Sequence, residues 1–357
     1  MSLLNKVTVV IPAYKPDEKL LSTLRGVINV GFTDIIVVDD GGGEKYAPIF
    51  DEVKAIPECT VLHHEINRGK GAALKTAFSY YIGNRKDSIG LVTADADGQH
   101  LPKDIRGCAE DMADNGSVVL GVRDFSQPHV PARSKAGNRF TSGFFKVFFG
   151  MKISDTQTGL RAIPRKYVEA ISKVDGDRYE YETHMLFLIG KAKIPLSEHI
   201  IDTVYIDDNS SSHFRVVRDS IRIYKMVILF LLSSILCTAV DAAMLSVFNN
   251  VFEDSLQFFT AFLLTVISAR AVSGVINYLI NYFVVFKREG GFSSALRYFA
   301  LALSLIAVSG GIALAVDLIF SQVWLTCVIK VLISLLMFPI VFRLQHNFVF
   351  GGQINNK

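Results

Sequence analysis

The chain has 357 residues, half of them hydrophobic, with a formal net charge of +3. That charge is too small to point to nucleic acid. The four cysteines have no metal-ligand spacing, which leaves free thiols in a reducing compartment as the expectation. The apolar residues are unevenly spread: residues 1–222 read as an ordinary soluble domain, and beyond Ile223 the charges nearly vanish.

In chain order, apolar β-branched runs occur at Val7–Ile11, Ile35–Val38, Thr60–Leu62, Gly90–Thr93 and Ser117–Gly121. Helix-like stretches lie between them at Asp17–Val30, Gly69–Tyr81 and Pro102–Asp114. This alternation predicts an α/β domain with a mostly parallel, Rossmann-like sheet. The strand-like start at Val7 has no secretory leader before it, so this domain is expected to stay in the cytosol.

Acidic clusters follow two of the strand runs, Asp39-Asp40-Gly41 and Asp95-Ala-Asp97-Gly-Gln99-His100. Open α/β sheets bind ligands at the carboxyl ends of their strands. Asp95 and Asp97 can turn oxygens toward one cation, with Gln99 adding another. Mg²⁺ or Mn²⁺ suits such a set and keeps positions open for phosphate. A solvated acidic loop is the alternative for this segment taken alone. Asn67-Arg68-Gly69-Lys70-Gly71 precedes a helix, where Lys70 can meet a phosphate near the helix N-terminus. The spacing is not that of a Walker loop.

Residues 133–149 read as an amphipathic helix, with Lys135, Arg139 and Lys146 on one side and Phe140, Phe144, Val147 and Phe148 roughly opposite. Such a helix suits an anionic membrane surface, and a Phe face packed on the core is the plainer alternative. A second basic stretch, about 213–222 with Arg215 and Arg218, leads into the first apolar span. Both stretches are positioned to gather a lipid phosphate, with Arg139, Arg215 and Arg218 as candidate contacts.

The remainder, 223–357, predicts an all-α transmembrane domain of four helices, with spans near 223–248, 258–286, 296–320 and 323–350. Basic residues in the 287–297 loop place that loop and both chain ends on the cytosolic side of the plasma membrane. A weak internal repeat relates Ala239-Val-Asp241 to Ala315-Val-Asp317, and the end of span two (Asn281 to Phe286) to that of span four (Asn347 to Phe350). Isolated charges inside the spans predict the pairs Asp241–Arg270 and Asp317–Lys330.

Six motifs stand in one order: VVIPAY, VVDDG, NRGKG, DADGQH, Gly121-Val-Arg123 and Asp155-Thr-Gln-Thr-Gly159-Leu-Arg161. Over roughly residues 7–208 the chain resembles family 2 glycosyltransferases of the GT-A fold. Within that family it looks like the dolichyl- or undecaprenyl-phosphate sugar synthases, and its tail resembles the GtrA-like membrane domain. The resemblance implies a nucleotide-sugar donor, a polyprenyl phosphate acceptor, a divalent metal and inversion at the anomeric carbon. It implies that Pro12, Tyr14, Asp39 and Asp40 hold the nucleoside, with Asn67 and Lys70 beside it. Asp95, Asp97 and Gln99 would hold metal and diphosphate, with Asp97 central to catalysis, and Arg123 and Arg133 would face the acceptor phosphate. Glu180 and Glu182 are assigned a supporting role.

Two rival readings are a processive polysaccharide synthase and a lipid-linked-sugar flippase with a nucleotide-binding head. The first expects a Gln-x-x-Arg-Trp motif, and the single tryptophan, Trp324, lies beside a span instead. The second would call for a homo-oligomer, because four spans are few for a translocation path.

Overall fold

The computed structural model describes residues 3–127, 130, 132–202, 216–252, 258–287, 293–319 and 323–351. The chain divides into two compact units, Met1–Ile223 and Tyr224–Lys357.

The first unit is built on seven strands: β1 (Val7–Ala13), β2 (Ile35–Asp40), β3 (Cys59–His64), β4 (Gly90–Thr93), β5 (Val118–Arg123), β6 (Arg161–Pro164) and β7 (Leu196–Ile201). Their spatial order is β3-β2-β1-β4-β6-β5-β7. All neighbours pair in parallel except β6, which runs antiparallel to β4 and β5. The helices are α1 (Glu18–Asn29), α2 (Ala47–Lys54), α3 (Lys70–Asn84), α4 (Pro102–Asn115), α5 (Ala132–Phe144), α6 (Arg165–Ser172) and α7 (Glu180–Lys191). Two apolar cores result. One packs α1, α2 and α4 on the sheet through residues such as Leu24, Ile105 and Met112. The other packs α3, α6 and α7 through Phe78, Val168 and Met185. Strands covered on both faces must be apolar throughout, and β2 and β4 are buried along their whole length. This is the mostly parallel α/β architecture expected of a GT-A domain.

Strand order reverses between β1 and β4, since β1 leads outward through β2 to β3 on one side and β4 opens the other side. Such a reversal leaves a crevice beyond the carboxyl ends of the two strands. β6, β7 and α7 were not among the predicted elements. β6 is only four residues long and contains Arg161 and Pro164, so it lacks the β-branched run that marks the parallel strands.

The predicted helix over 133–149 is α5 followed by a π turn at Phe145–Phe149. The wider turn changes the phase of the pattern. Phe145 is buried and stacks on Phe187, with Phe149 beside them, while Phe140 and Val147 are exposed. The aromatic side is thus divided between core and surface. On its basic side, Lys135, Arg139 and Lys146 line an open groove together with Lys152.

The second unit contains most of α8 (Val216–Phe252), with α9 (Phe258–Ile280), α10 (Ser293–Ile319) and α11 (Val323–Leu344). Among the described residues three stretches are long and apolar enough to cross a membrane: Tyr224–Val247, Leu264–Val285 and Val331–Val349. The described apolar stretch of α10, Ser293–Val308, is shorter than the predicted third span, 296–320. Polarity in this unit is inverted relative to a water-soluble bundle. Leu232, Ile235, Leu303 and Leu336 are more than half exposed, whereas Ser233, Asp241, Asn281 and Gln345 are buried. Water would penalise that arrangement and a hydrocarbon surround would not.

α9 and α11 each end in a π turn, Asn281–Val285 and Gln345–Val349. The turns are closed alike, by Phe286 N donating to Asn281 O and Phe350 N donating to Gln345 O. Phe286 and Phe350 stack at 4.6 Å. Phe286 and Phe350 thus correspond, as do Asn281 and Gln345 at the start of each turn. Asp241 pairs with Arg270 at 3.3 Å and accepts from Ser273 at 3.0 Å. The Asp317 and Lys330 side chains lie outside the described residues.

Candidate active site

The crevice collects the predicted residues in three groups. The first is the end of β2 and the turn it holds. Asp39 and Asp40 belong to the strand itself, in register with His63 and His64 of β3. Each pair is hydrogen-bonded at 2.8 Å, His63 Nδ1 to Asp39 and His64 Nδ1 to Asp40. Asp39 also accepts from Gly42 N at 2.9 Å. Asp40 Oδ2 accepts from Asn67 Nδ2 and Gly69 N, both at 2.8 Å, and its Oδ1 accepts from Arg68 N at 2.9 Å. The Asp40 side chain is only 4% exposed. Its acceptor capacity is thus committed to the 67–69 turn, which makes Asp40 and Asn67 positioning residues for the N-terminus of α3. Gly41 permits this approach: its φ is +70°, and a Cβ there would lie 2.3 Å from Asn67 N. Pro12 and Tyr14 sit at and just beyond the end of β1, which pairs with β2 up to Ala13 and Asp39.

The second group is a charge cluster at the end of β4. Lys70, the first residue of α3, bridges Asp95 at 2.7 Å and Glu182 of α7 at 3.0 Å. Burial lowers a lysine pKa, but here the two carboxylates dominate and raise Lys70 above the ordinary lysine value. Burial would likewise raise the Asp95 carboxyl, but the charge and hydrogen bond of Lys70, with the charge of Arg123, hold it at about 2. Asp97 behaves oppositely, raised by burial and by the charge of Asp95. Its Oδ1 accepts from Gln99 N at 3.0 Å. His100 Nδ1 accepts from Asp95 N at 3.0 Å, which requires a neutral ring, and burial lowers its pKa in the same sense. Gly159 closes the floor: a Cβ there would lie 2.4 Å from Asp95 Oδ2 and 2.8 Å from Lys70 Nζ.

The third group is Arg123 at the end of β5. Asp155, fully buried, accepts from its Nε at 2.7 Å and its Nη2 at 3.2 Å. This two-pronged grip fixes the plane of the guanidinium, whose charge acts on both Asp95 and His100. Arg161 lies beneath, 1% exposed, donating to Thr158 O and Glu182 O.

Not every predicted contact joins the cluster. Arg139 is exposed in the groove beside α5. The side chains of Arg133 and Arg218, and the whole of Arg215, lie outside the described residues. Glu180 accepts from Asp177 N and Arg178 N, both at 3.3 Å, and so closes the turn before α7. Sequence reasoning missed the depth at which Glu182 enters, the clamp from Asp155 and the paired histidines. The Asp155–Arg161 motif was the available signal for the clamp.

Residues 8–172, within the first unit, match the model of Glycosyl transferase family 2. Curated relatives include an uncharacterized protein of Methanocaldococcus jannaschii, 29% identical over 62% of this chain and 91% of that protein. A UDP-N-acetylglucosamine–dolichyl-phosphate N-acetylglucosaminyltransferase of Methanococcus voltae is 26% identical over 56% of this chain and 86% of that protein. A polyprenol monophosphomannose synthase of Mycolicibacterium smegmatis is 28% identical over 50% of this chain and 69% of that protein.

Proposed function

We propose that the chain transfers a sugar from a UDP- or GDP-linked donor to a polyprenyl phosphate, undecaprenyl or dolichyl, at the cytoplasmic face of the plasma membrane. The product is a lipid-phosphate monosaccharide for cell-envelope glycosylation. The observation that carries this is the clamped Arg123 electrostatically coupled to the Asp95–Asp97 cluster at the strand reversal. The names of the two polyprenyl-phosphate relatives support the choice of acceptor.

The donor set fits a divalent cation. Asp95 and Asp97 stand two residues apart, and the charge of one disfavours ionisation of the other, a repulsion that a cation relieves. Among the described residues no third carboxylate, histidine or cysteine completes a protein-only site. Two carboxylates with the Gln99 amide suit Mg²⁺ or Mn²⁺ shared with a diphosphate. The bound ion would supply charge neutralisation for the departing nucleoside diphosphate.

The chain's own groups do the rest. Pro12, Tyr14 and Asp39 border the nucleoside space, and the turn held by Asp40 and Asn67 sets where α3 begins. Lys70 is positioned to turn from the carboxylates toward the diphosphate. A phosphate monoester is already anionic at neutral pH, so attack needs orientation and charge neutralisation rather than a base. Arg123 suits this because Asp155 holds the plane of its guanidinium. An acceptor oxygen bonds to the anomeric carbon as the bond to the diphosphate breaks on the opposite side, and one displacement inverts that carbon. Arg133, Arg139, Arg215 and Arg218 would steer the lipid phosphate, with the exposed Phe140 and Val147 meeting the bilayer surface. The tail serves as a GtrA-like membrane domain.

The test is transfer of radiolabelled sugar into an organic-extractable product. Purified protein is given undecaprenyl phosphate and a panel of nucleotide-sugars with Mg²⁺ or Mn²⁺. Label that reaches the lipid phase, and is lost with EDTA or in Asp97→Ala, is the expected result. No transfer from any donor by folded protein would overturn the proposal.

A further inference from the structure

The second unit contains a half-open cavity of about 270 Å³ to which all four of its long helices contribute. Its polar lining is unusual for a bundle in hydrocarbon. Asn277 of α9, Tyr298 of α10, Ser234 of α8 and Gln345 of the α11 π turn face it, between the rings of Phe230 and Phe338. Apart from the weakly acidic tyrosine, no lining residue among the described residues is ionisable.

The polar groups are held by one another. Asn281 donates to Asn277 Oδ1 and to Gln345 Oε1, accepts from Ser233, and is fully buried. Tyr298 donates to Asn277 Oδ1 at 2.9 Å. This network fixes the amides and leaves capacity toward the cavity. Among the described residues the Gln345 amide nitrogen has no partner, and the Tyr298 and Ser234 oxygens keep acceptor lone pairs. A second feature points to the same place. Gln345 opens a π turn and α11 carries Pro339 within it, and such irregularities gather at functional sites.

We propose that this cavity binds one neutral, hydroxyl-rich ring, a glycosyl group. A lipid chain would leave the amide unpaired in an apolar surround, which is costly. A phosphate would find no cation among the described lining residues. A hydroxylated ring offers both donors and acceptors to Gln345, Tyr298 and Ser234, and flat apolar faces to Phe230 and Phe338. Small-molecule sites of about 300 Å³ and above are mostly apolar with a few placed polar groups, so this one, slightly smaller, suits a single ring. The choice of a glycosyl group over other neutral polyols rests on the transfer reaction proposed above, whose product carries one on its lipid.

The experiment uses the full chain in lipid nanodiscs without donor. Octyl β-D-glucoside below its micellar concentration, octyl phosphate, octanol and free glucose are compared by saturation-transfer NMR. Saturable binding of the glucoside, at least tenfold tighter than octyl phosphate or octanol, is expected. Ala302→Phe fills the cavity without touching the network and should weaken it at least tenfold, with Leu305→Phe as an independent filling variant. Free glucose binding as well as the glucoside identifies the ring alone as the ligand, and preference for the glucoside identifies a lipid headgroup; both support the site. Binding of octanol or octyl phosphate equal to the glucoside, or undiminished binding in a folded filling variant, overturns it. Sugar transfer is measured on the same samples, so lost transfer with intact glucoside binding counts against the transfer reaction alone.

Discussion

Asp40→Asn distinguishes a carboxylate that touches the nucleoside from one that builds the turn beside it. The substitution keeps shape and one acceptor oxygen, and puts an amide where the other oxygen stood. If the oxygen remains on the Arg68 side, the bonds from Asn67 Nδ2 and Gly69 N are lost, both 2.8 Å long. Hydrogen bonds to a charged group contribute about 1.5–3 kcal/mol each, and relief from burying a charge offsets part of the loss. A net destabilisation of the turn by about 2–4 kcal/mol follows. At about 1.4 kcal/mol per tenfold change, the opening equilibrium of the 67–69 amides should rise roughly 30- to 700-fold. Hydrogen–deuterium exchange of the full chain in detergent reads this directly on a peptide spanning residues 65–71. Nucleotide binding, measured alongside, should weaken as a consequence of the displaced α3. Unchanged exchange together with abolished nucleotide binding would refute the reasoning and return Asp40 to direct contact with the donor.

Three further outcomes are expected. Gly159→Ala should cut sugar transfer about 100-fold in folded protein, since its Cβ displaces Asp95 and Lys70 and small misplacements cost that much; near-normal transfer would show that the floor is looser than drawn. Burial pushes the Cys59 thiol up to about 12, with Glu58 and Asp34 adding to it, and burial raises Cys108 further. At pH 8 only roughly one Cys59 in 10⁴ is then thiolate, so both thiols should react with a disulfide reagent far more slowly in the folded chain than after denaturation. Equal rates would argue against their burial. Asn281→Leu removes three side-chain bonds from the second unit. At about 0.6 kcal/mol for each such bond in a membrane protein, it should lower resistance to SDS unfolding by about 2 kcal/mol, and an unshifted midpoint would count against the network.

The parts legible in the sequence are those whose causes are local. β1, β2 and β4 stand out because strands buried on both faces need unbroken apolar runs. Asp95 and Asp97 stand out because acids just beyond a buried strand have few structural reasons to be there. Asp40 shows the limit of that reasoning, since an acid at the same edge is turned inward by amides 27 to 29 residues further on. Glu182 reaches Lys70 only because α7 packs beside α3, a contact that no local pattern encodes. Arg161 reads as a surface charge and is among the most deeply buried side chains. In the segment 133–149 the composition gives the two faces, but the π turn that moves Phe145 into the core leaves no mark in the residue types.

The hydrogen bond between Asn281 and Gln345 joins corresponding positions of the two helix pairs. A contact between corresponding positions is what a twofold-symmetric dimer makes with itself. In this contact the second unit resembles a dimer written into one polypeptide. Fusion releases the halves from having to stay identical. Asparagine and glutamine already differ by a methylene at these positions. A self-associated pair of helix hairpins must carry the same residue at both positions, whereas a fused pair can change one alone.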